Sequence, residues 1–368
     1  MKSCRTRNTE DEEKNADRLS DLPDCVILHI LSFLDTTKDA IQTCILSKRW
    51  TNIWKRLPNL ILASSQFKTV NCLALTNKFL SHVLSRRDSS TSLHHIIIHR
   101  QVIMDPRLIE TIVEYAVTHN VQLLEFKFKC DIQSFPPCLF SSHTLTSLQL
   151  LVAHPTRYMH RILFPNSLHL PALTILALQS FYFSVDNDGH VEPFSALKRL
   201  KSLILYECGV MGAQNLCISS TTLVRLRVSS HLLVRPSTYF GFGIVLSTPS
   251  LREFHLKGLT LPKLCESKSN LPNITHVSIN FMSLYHSVET PLVLHKWLVE
   301  LANTQSLSVN SPTLKILSLV PDLLKSELPS LDNLKSLKVE MSRISIPDGI
   351  VNFLCRKSRS AKVDIIGV

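Results

Sequence analysis

Glycine is scarce in this chain, with 8 glycines among 368 residues, about a third of ordinary usage. Enzymes that hold phosphate groups on glycine-rich loops are therefore disfavoured. The Gly-x-Ser-x-Gly and His-Glu-x-x-His motifs are also absent from the sequence, so two common hydrolase sites are missing as well. We predict that the chain is not an enzyme and that it uses no cofactor.

The sequence also lacks Cys-x-x-Cys pairs, although it has 10 cysteines. Cys25, Cys44, Cys208 and Cys355 lie within apolar patterns, which is typical of reduced, buried thiols. No apolar run approaches the roughly 18 residues of a membrane span, and residues 1–18 do not resemble a signal peptide. We expect the protein to reside in the nucleus, the cytoplasm or both.

Metal and nucleic-acid sites are only weakly indicated. His94, His95 and His99 flank a predicted strand and alternate between its faces, so we interpret them as ordinary surface or packed histidines and predict no metal site. The basic run Arg356–Arg359 could be a nuclear signal, a nucleic-acid patch or a complement to a helix C-terminus. Base-stacking aromatic residues do not accompany it, which disfavours nucleic-acid binding.

The remaining composition is that of a folded protein with a positive charge. Apolar residues make up 45% of the chain and the formal net charge is +11. Such a charge favours encounter with an acidic partner but does not define a fold. Residues 1–17 mix acidic and basic side chains without apolar periodicity, and we predict a disordered tail there.

Helix signals begin directly after this tail. Pro23 and Asp24 suit the first turn of a helix, whose apolar arc is wider than one contact surface requires. Thr36 or Thr37 is predicted to cap a second helix, and Ser47 a third. Domains of about 40 residues usually need outside help to stay folded, so we expect this segment to pack against a partner.

Several residues in this segment have the order and spacing of the F-box family. They are Leu22-Pro23, Ile27, Ile30, Leu34, Leu46-Ser47, Trp50 and Trp54. Residues 18–58 therefore resemble an F-box, and Leu46–Trp50 is similar to the plant branch that joins an F-box to leucine-rich repeats. The resemblance implies a three-helix module that binds a Skp-type adaptor, and through it the cullin and RING subunits of an SCF ubiquitin ligase.

Carried over by position, the resemblance gives a set of candidate adaptor contacts. They are Leu22, Pro23, Val26, Ile30, Leu34, Leu46, Ser47 and Trp50. For Trp54 we favour internal packing. The alternative is a helical cap that packs only on the domain behind it.

From Leu93 onward, short apolar runs recur in the form L-x-x-L-x-L. The middle apolar residues of ten such runs are separated by 23 to 30 residues, close to the 20–29-residue period of leucine-rich repeats. These markers are Ile96, Leu124, Leu148, Leu176, Leu203, Leu226, Phe254, Val277, Leu307 and Leu337. The predicted fold is α/β: a three-helix F-box followed by a solenoid with a parallel β-sheet on its concave face and helices and loops outside.

The spacing also assigns segments outside the sheet. Leu314–Leu319 matches the repeat pattern but follows Leu307 too closely for a parallel neighbour, so we predict helix or turns from Thr313 to Lys325. Further helices are predicted at Asp105–Ala116, with an aspartate cap, and at Pro291–Leu301. The middle units carry Pro-rich polar links and are expected to be looser.

The predicted domain boundaries place the F-box at 18–58, a helical linker and N-terminal cap at 59–92, and the repeats at 93–342. Residues 343–368 form a C-terminal cap that resembles a shortened form of the FBD region of these plant proteins. A helix at Pro347–Arg356 and a strand near Val363–Ile366 are predicted within it.

Alternate residues of the repeat strands should line the exposed face of the sheet. Basic side chains occupy this face on consecutive strands, and we predict a patch that receives an acidic or phosphorylated target segment. The candidate residues are Tyr206, Arg225, Arg227, His255, Lys257 and His276. The alternative is a solvated polar face without a ligand.

These features together predict a substrate-recognition subunit of an SCF-type E3 ubiquitin ligase. The F-box would bind the adaptor, and the repeats would bind a target protein. Two alternatives stay open: a repeat scaffold that binds the adaptor without causing degradation, and a receptor of this architecture that requires a small ligand.

Overall fold

The computed structural model describes thirteen segments of the chain, and the predicted tail at 1–17 lies outside them. They are residues 21–63, 73–155, 162–185, 191–230, 242–259, 261–265, 271–282, 289–319, 331–341, 345–346, 349–356, 358 and 360–367. None of the helices in these segments is long and apolar enough to cross a membrane.

The described segments contain eight α-helices and eighteen strands. The helices are α1 Asp24–Ser32, α2 Thr37–Gln42, α3 Trp50–Ile53, α4 Leu73–Arg86, α5 Pro106–Thr118, α6 Thr290–Glu300, α7 Ser311–Leu317 and α8 Ile350–Leu354. The strands are β1 Asn59–Ala63, β2 His95–Met104, β3 Leu123–Cys130, β4 Ser147–Ala153, β5 Ile162–Leu163, β6 Ile175–Gln179, β7 Phe181–Ser184, β8 Ser202–Tyr206, β9 Gly209–Met211, β10 Asn215–Ser219, β11 Arg225–Ser230, β12 Gly243–Ser247, β13 Glu253–Gly258, β14 Lys263–Leu264, β15 His276–Phe281, β16 Ser306–Asn310, β17 Ser336–Met341 and β18 Lys362–Gly367.

Twelve of the described strands form one parallel sheet, in the order β1-β2-β3-β4-β6-β8-β11-β13-β15-β16-β17-β18. All ten predicted repeat markers lie side by side in its register, from Ile96 beside Leu124 to Leu307 beside Leu337. Each of the ten is at most 2% exposed. The leucine period therefore reflects one continuous core row, and the predicted repeat solenoid is confirmed.

The sheet is longer at both ends than the ten markers indicate. Leu60 of β1 extends the core row before Ile96, and Val363 of β18 extends it after Leu337. The predicted final strand is confirmed by β18. The linker assigned to residues 59–92 was described from sequence as helical, yet it opens with the five-residue strand β1. This strand was missed because it is short and follows the predicted third helix without a turn signal.

The predicted helices outside the sheet are largely confirmed. The Asp105 side chain accepts a hydrogen bond from the Arg107 N–H at 3.0 Å and caps α5. Helix α7 occupies Ser311–Leu317, so the segment excluded from the sheet on spacing grounds is helical. In α6, the buried Trp297 indole donates to the Pro262 carbonyl at 2.9 Å and stacks on Phe254 of β13.

The middle units differ from the looser links that we expected. Two further parallel sheets, β5-β7-β9 and β10-β12-β14, lie outside the main sheet. Ser180 and Glu207 each adopt a positive φ at the turn that leads out of a main-sheet strand. Gly209 is required at the start of β9, because a Cβ there would lie 2.6 Å from the Tyr182 ring. Apolar strands therefore replace helices in these units.

The N-terminal helices are joined to the sheet by several hydrogen bonds. The β1 residue Ile61 donates its N–H to Thr37 Oγ1 of α2 at 2.9 Å. The buried Arg87 guanidinium donates to the carbonyls of Leu57 and Ser92 at 2.9 Å, and to that of Thr91 at 3.0 Å. One cation thus connects the end of the helical module to the turn that precedes β2.

We expect Arg87→Ala to lower the free energy of unfolding by about 3 kcal/mol, because hydrogen bonds to charged groups are worth about 1.5–3 kcal/mol and three carbonyls, of which that of Leu57 is buried, would lose a donor. Chemical denaturation of the purified chain measures this. The neighbouring exposed Arg86→Ala is the matched control and should change stability by less than about 0.5 kcal/mol. Equal effects of the two substitutions would contradict the proposed connection.

Candidate functional site

The first candidate site is the surface of the helical module formed by α1, α2 and α3. Pro23 stands at the N-cap of α1 and Asp24 is its first residue, as predicted. Thr36 caps α2, since its Oγ1 accepts a hydrogen bond from the Asp39 N–H at 3.3 Å. The prediction that Ser47 caps the third helix is wrong. Helix α3 begins at Trp50, and Ser47 contributes only its carbonyl, which accepts from the Trp50 N–H.

The module has a small core of its own. Ile27, Leu31, Trp50, Ile53 and Trp54 are each at most 7% exposed. This core is the reason that α1 presents two apolar faces. One face fills the core with Ile27 and Leu31, and the other carries Val26, Ile30 and Phe33, which recur at the helical spacing of one face.

A surface ion pair helps to hold α1 against α3. The Asp24 carboxylate lies 2.8 Å from Arg49 and 3.4 Å from Arg56. Arg49 also donates a hydrogen bond to the Leu22 carbonyl. These side chains are partly exposed, so the ion pairs are worth at most about 1 kcal/mol each. Their main consequence is geometric, because they fix the start of α1 relative to α3.

The predicted adaptor contacts fall into three classes of exposure. Pro23, Val26, Ile30 and Leu46 are exposed, whereas Leu22, Leu34 and Ser47 are half-buried. Trp50 is only 5% exposed and lies within the module's own core. We therefore correct its assignment: the indole supports the surface from beneath and presents little area for a partner.

Two strongly exposed apolar residues were missed by the sequence analysis. Phe33 is 73% exposed and Ile45 is 89% exposed, and Leu46 beside it is 60% exposed. Single exposed apolar residues are common, but several within one small module indicate an interaction surface. Phe33 could have been found from its position seven residues after Val26, whereas Ile45 lies in a 3₁₀ turn where helical periodicity gives no signal.

The second candidate site is the open face of the main sheet, defined by the strand residues that alternate with the buried core rows. All six predicted target-binding residues lie on it. Arg225, Arg227, Lys257 and His276 are exposed, whereas Tyr206 and His255 are half-buried. Alternation along the strands also places Ser202 and Ser229 on this face, yet they are only 9% and 4% exposed, because longer side chains flank these small residues.

Register brings the basic residues close together. Arg227 of β11 lies beside His255 of β13, and Arg225 lies beside Glu253, which in turn lies beside His276 of β15. The Arg225 Nε is 3.1 Å from a Glu253 carboxylate oxygen, so this arginine is compensated. Burial, and secondarily the Arg227 charge, lowers the pKa of His255. The neutral form of His255 is therefore favoured at neutral pH.

The histidines near the start of the sheet do not converge on one point. The His99 Nε2 is 2.7 Å from a Glu125 carboxylate oxygen, and burial lowers the pKa of His95. Within the described segments, no group of three or more His, Cys, Asp or Glu residues is placed to hold a metal ion. Of the four cysteines predicted to be buried, only Cys208 is, and burial raises its pKa to about 12. Cys44 and Cys355 are half-buried and Cys25 is exposed.

The fold and the exposed helical module define a class: a small N-terminal helical module joined to a leucine-rich-repeat solenoid. Comparison with known proteins agrees, since the family model described as F-box domain matches residues 19–62. Residues 19–62 are therefore an F-box domain, and the strands that follow form a solenoid with the period of leucine-rich repeats.

The chain is also similar to proteins of Arabidopsis thaliana over most of its length. Two relatives of the F-box/FBD/LRR-repeat type are 27% and 26% identical to it; these matches cover 83% and 87% of this chain, and 75% and 69% of the relatives. An F-box/LRR-repeat protein is 25% identical, with 88% of this chain and 84% of the relative covered.

We expect the exposed residues of the F-box to contribute little to its stability. Phe33→Ser and Ile45→Ser should each change the free energy of unfolding by less than about 0.5 kcal/mol. By contrast, Trp50→Ala should cost about 3–5 kcal/mol, because it leaves a cavity in the core. Denaturant titration of the three variants measures this, and a loss for Ile45→Ser as large as that for Trp50→Ala would show that Ile45 is a core residue.

Proposed function

We propose that the chain is the substrate-recognition subunit of an SCF-type E3 ubiquitin ligase. In this proposal the F-box binds a Skp-type adaptor, which connects it to cullin and RING subunits, and the open sheet face binds a target protein. The complex would act in the nucleus, the cytoplasm or both. The observation that carries the proposal is the apolar surface of the F-box, where Phe33, Ile45 and Leu46 are exposed and do not belong to the core of the module.

The adaptor contact is expected to be apolar at its centre. Exposed apolar residues on α1 and on the turn after α2 can be covered by a helical partner, and the interface should bury about 1,600 Å² in total. Charged residues flank this surface, including the Asp24–Arg49 pair. Such a rim is typical of specific interfaces, where a few central residues supply most of the binding energy.

In this role the chain supplies no catalytic residue. Ubiquitin transfer would be accelerated because a target lysine is held near a conjugating enzyme bound elsewhere in the complex. The connection of Arg87 to Leu57, Thr91 and Ser92 supports such a role. It fixes the end of the F-box to the start of the sheet, and so would fix the distance between adaptor and target.

The double variant Phe33→Glu/Ile45→Glu should lose capture by a Skp-type adaptor. Interface hot spots are worth about 2 kcal/mol each, so the affinity should fall by at least about 30-fold. Copurification and calorimetry with the purified adaptor measure this. The matched control is Leu292→Glu/Val299→Glu, which changes two exposed apolar residues of α6. Retained binding by the F-box variant would contradict the proposal.

The degradative role is tested separately from adaptor binding. Proteins labelled by proximity to the wild-type chain should increase in abundance when cells carry only the Phe33→Glu/Ile45→Glu variant, because they would no longer receive ubiquitin. Quantitative mass spectrometry with and without proteasome inhibition measures this. If the neighbours are unchanged while adaptor binding is lost as expected, the chain is a non-degradative scaffold.

A further inference from the structure

The open sheet face has an apolar section next to a cationic section. On β6 and β8, the open-face residues Ile175, Ile204 and Tyr206 are exposed or half-buried. Ile175 lies on the solvent side of the sheet and is 37% exposed, although it is apolar. Polar residues normally occupy such a face, so a group of apolar side chains here indicates a contact surface.

The cationic section begins on the next strand. Arg227 of β11 lies in register directly beside Ile204, and His255 of β13 follows Arg227 in the same row. In the row that contains Tyr206, Ser229 comes next and Lys257 follows it. The first basic side chain therefore lies on β11 in the Ile204 row, and on β13 in the Tyr206 row, where Ser229 intervenes.

The charge on this section is not balanced by the sheet itself. Within the described segments no carboxylate lies within ion-pair distance of Arg227 or Lys257. Elsewhere on the open face, several cations are paired. Arg225 pairs with Glu253 at 3.1 Å, Lys338 with Glu340 at 3.1 Å, and Lys362 with Asp364 at 3.2 Å. Lys127 and Lys129 of β3 are also exposed and have no carboxylate within ion-pair distance in the described segments. Arg227 and Lys257 are distinguished from them by their place beside the apolar section.

We propose that the boundary between the apolar and cationic sections binds an extended segment of a protein in which an apolar side chain is followed closely by acidic side chains. The proposal rests on the proposed function, since the segment would belong to the target. The apolar side chain packs on Ile175, Ile204 and Tyr206, and carboxylates bind Arg227 and Lys257. Arginine suits this task because its planar guanidinium can bind a carboxylate through two hydrogen bonds.

The sheet geometry sets the number of residues between the apolar anchor and the acidic residues of the bound segment. Neighbouring strands lie about 4.8 Å apart, so Arg227 is about 5 Å from Ile204 across the sheet, and Lys257 is about 10 Å from Tyr206. An extended chain advances about 3.3 Å per residue. A segment that crosses the strands would therefore place its acidic residues about one to three residues from its apolar anchor.

A nucleic-acid strand fits this boundary less well than an acidic peptide. Glu253 lies on the open face between Arg225 and His276 in register, where it would repel a phosphate backbone. The apolar section also offers no charge to such a backbone. Since burial lowers the pKa of His255, the fixed positive charges of the boundary are those of Arg227 and Lys257.

The test is a selection of random peptides of about twelve residues, displayed on phage, on the full-length chain in complex with the adaptor. We expect enriched peptides to place acidic residues within about three positions of a large apolar residue. Synthetic peptides are then measured by fluorescence anisotropy. Arg227→Glu/Lys257→Glu should weaken binding at least tenfold, and Ile204→Asp should weaken it by a similar factor.

The matched control is Lys127→Glu/Lys129→Glu, which reverses two exposed lysines on the same face of the sheet, on β3. It should leave peptide affinity within about twofold of the wild type. Replacing the acidic residues of the peptide by their amides should abolish binding. The proposal is overturned if no peptide is enriched, if enriched peptides lack acidic residues, or if the two charge-reversal variants weaken binding equally.

Two further outcomes would also overturn it. One is binding of a phosphoserine version of the peptide without binding of the carboxylate version. The other is displacement of the peptide by a single-stranded oligonucleotide at low micromolar concentration. Failure of the proposed function is distinguishable, because adaptor capture depends on Phe33 and Ile45 and should be the same for the wild type and every sheet variant.

Discussion

The structure depends on one constraint: each strand of the main sheet can bury its apolar residues only against the strands beside it. The core row from Leu60 to Leu337 satisfies this constraint without interruption, and a second row, which includes Ile98, Phe126 and Leu150, runs parallel to it. Because every coil contacts only its neighbours, stability is close to a sum of local terms. The ends of the array are therefore the places where apolar residues lack a cover.

The two ends of the main sheet differ in how far their apolar residues are covered. At the first end, the helices of the F-box directly precede β1 in the chain. Thr37 accepts the N–H of Ile61 in β1, and Arg87 donates to the Leu57 carbonyl just before this strand. At the other end, Val363 and Ile365 continue the core rows but are 39% and 56% exposed on β18. The same leucine pattern thus gives a closed end beside the F-box and an open one beside β18.

Periodicity made the repeats predictable, and its absence explains what was missed. The core markers were found because inward residues recur at a fixed offset in every coil, so ten weak signals reinforce one another. Strand β1 carries a single weak signal and was read as part of a helical linker. The small sheet around β7 was not foreseen, since left-handed turns at Ser180 and Glu207 lead into β7 and β9 and no glycine occupies these two positions.

At the candidate sites too, some features could be predicted from the sequence and others could not. The F-box was recognisable from the spacing of Leu22-Pro23, Leu46-Ser47 and Trp50, because those residues recur in order. Which of them face outward was not readable from order alone. Trp50 belongs to the core and Ile45 to the surface, and only the packing of α1 on α3 separates them. On the open face, alternation predicted orientation correctly for the basic residues, but pairing of Arg225 with Glu253 needed the register of two strands.

The direct passage from the F-box into β1 has a consequence for module boundaries. The family match at residues 19–62 extends through most of β1, so the last residues of the F-box are also the first strand of the solenoid. In a chimaera that exchanges F-boxes between relatives at residue 58, Leu57 would come from one protein and Arg87, which donates to its carbonyl, from the other. The transferable unit is the helical module together with Asn59–Ala63 and the cation that holds it.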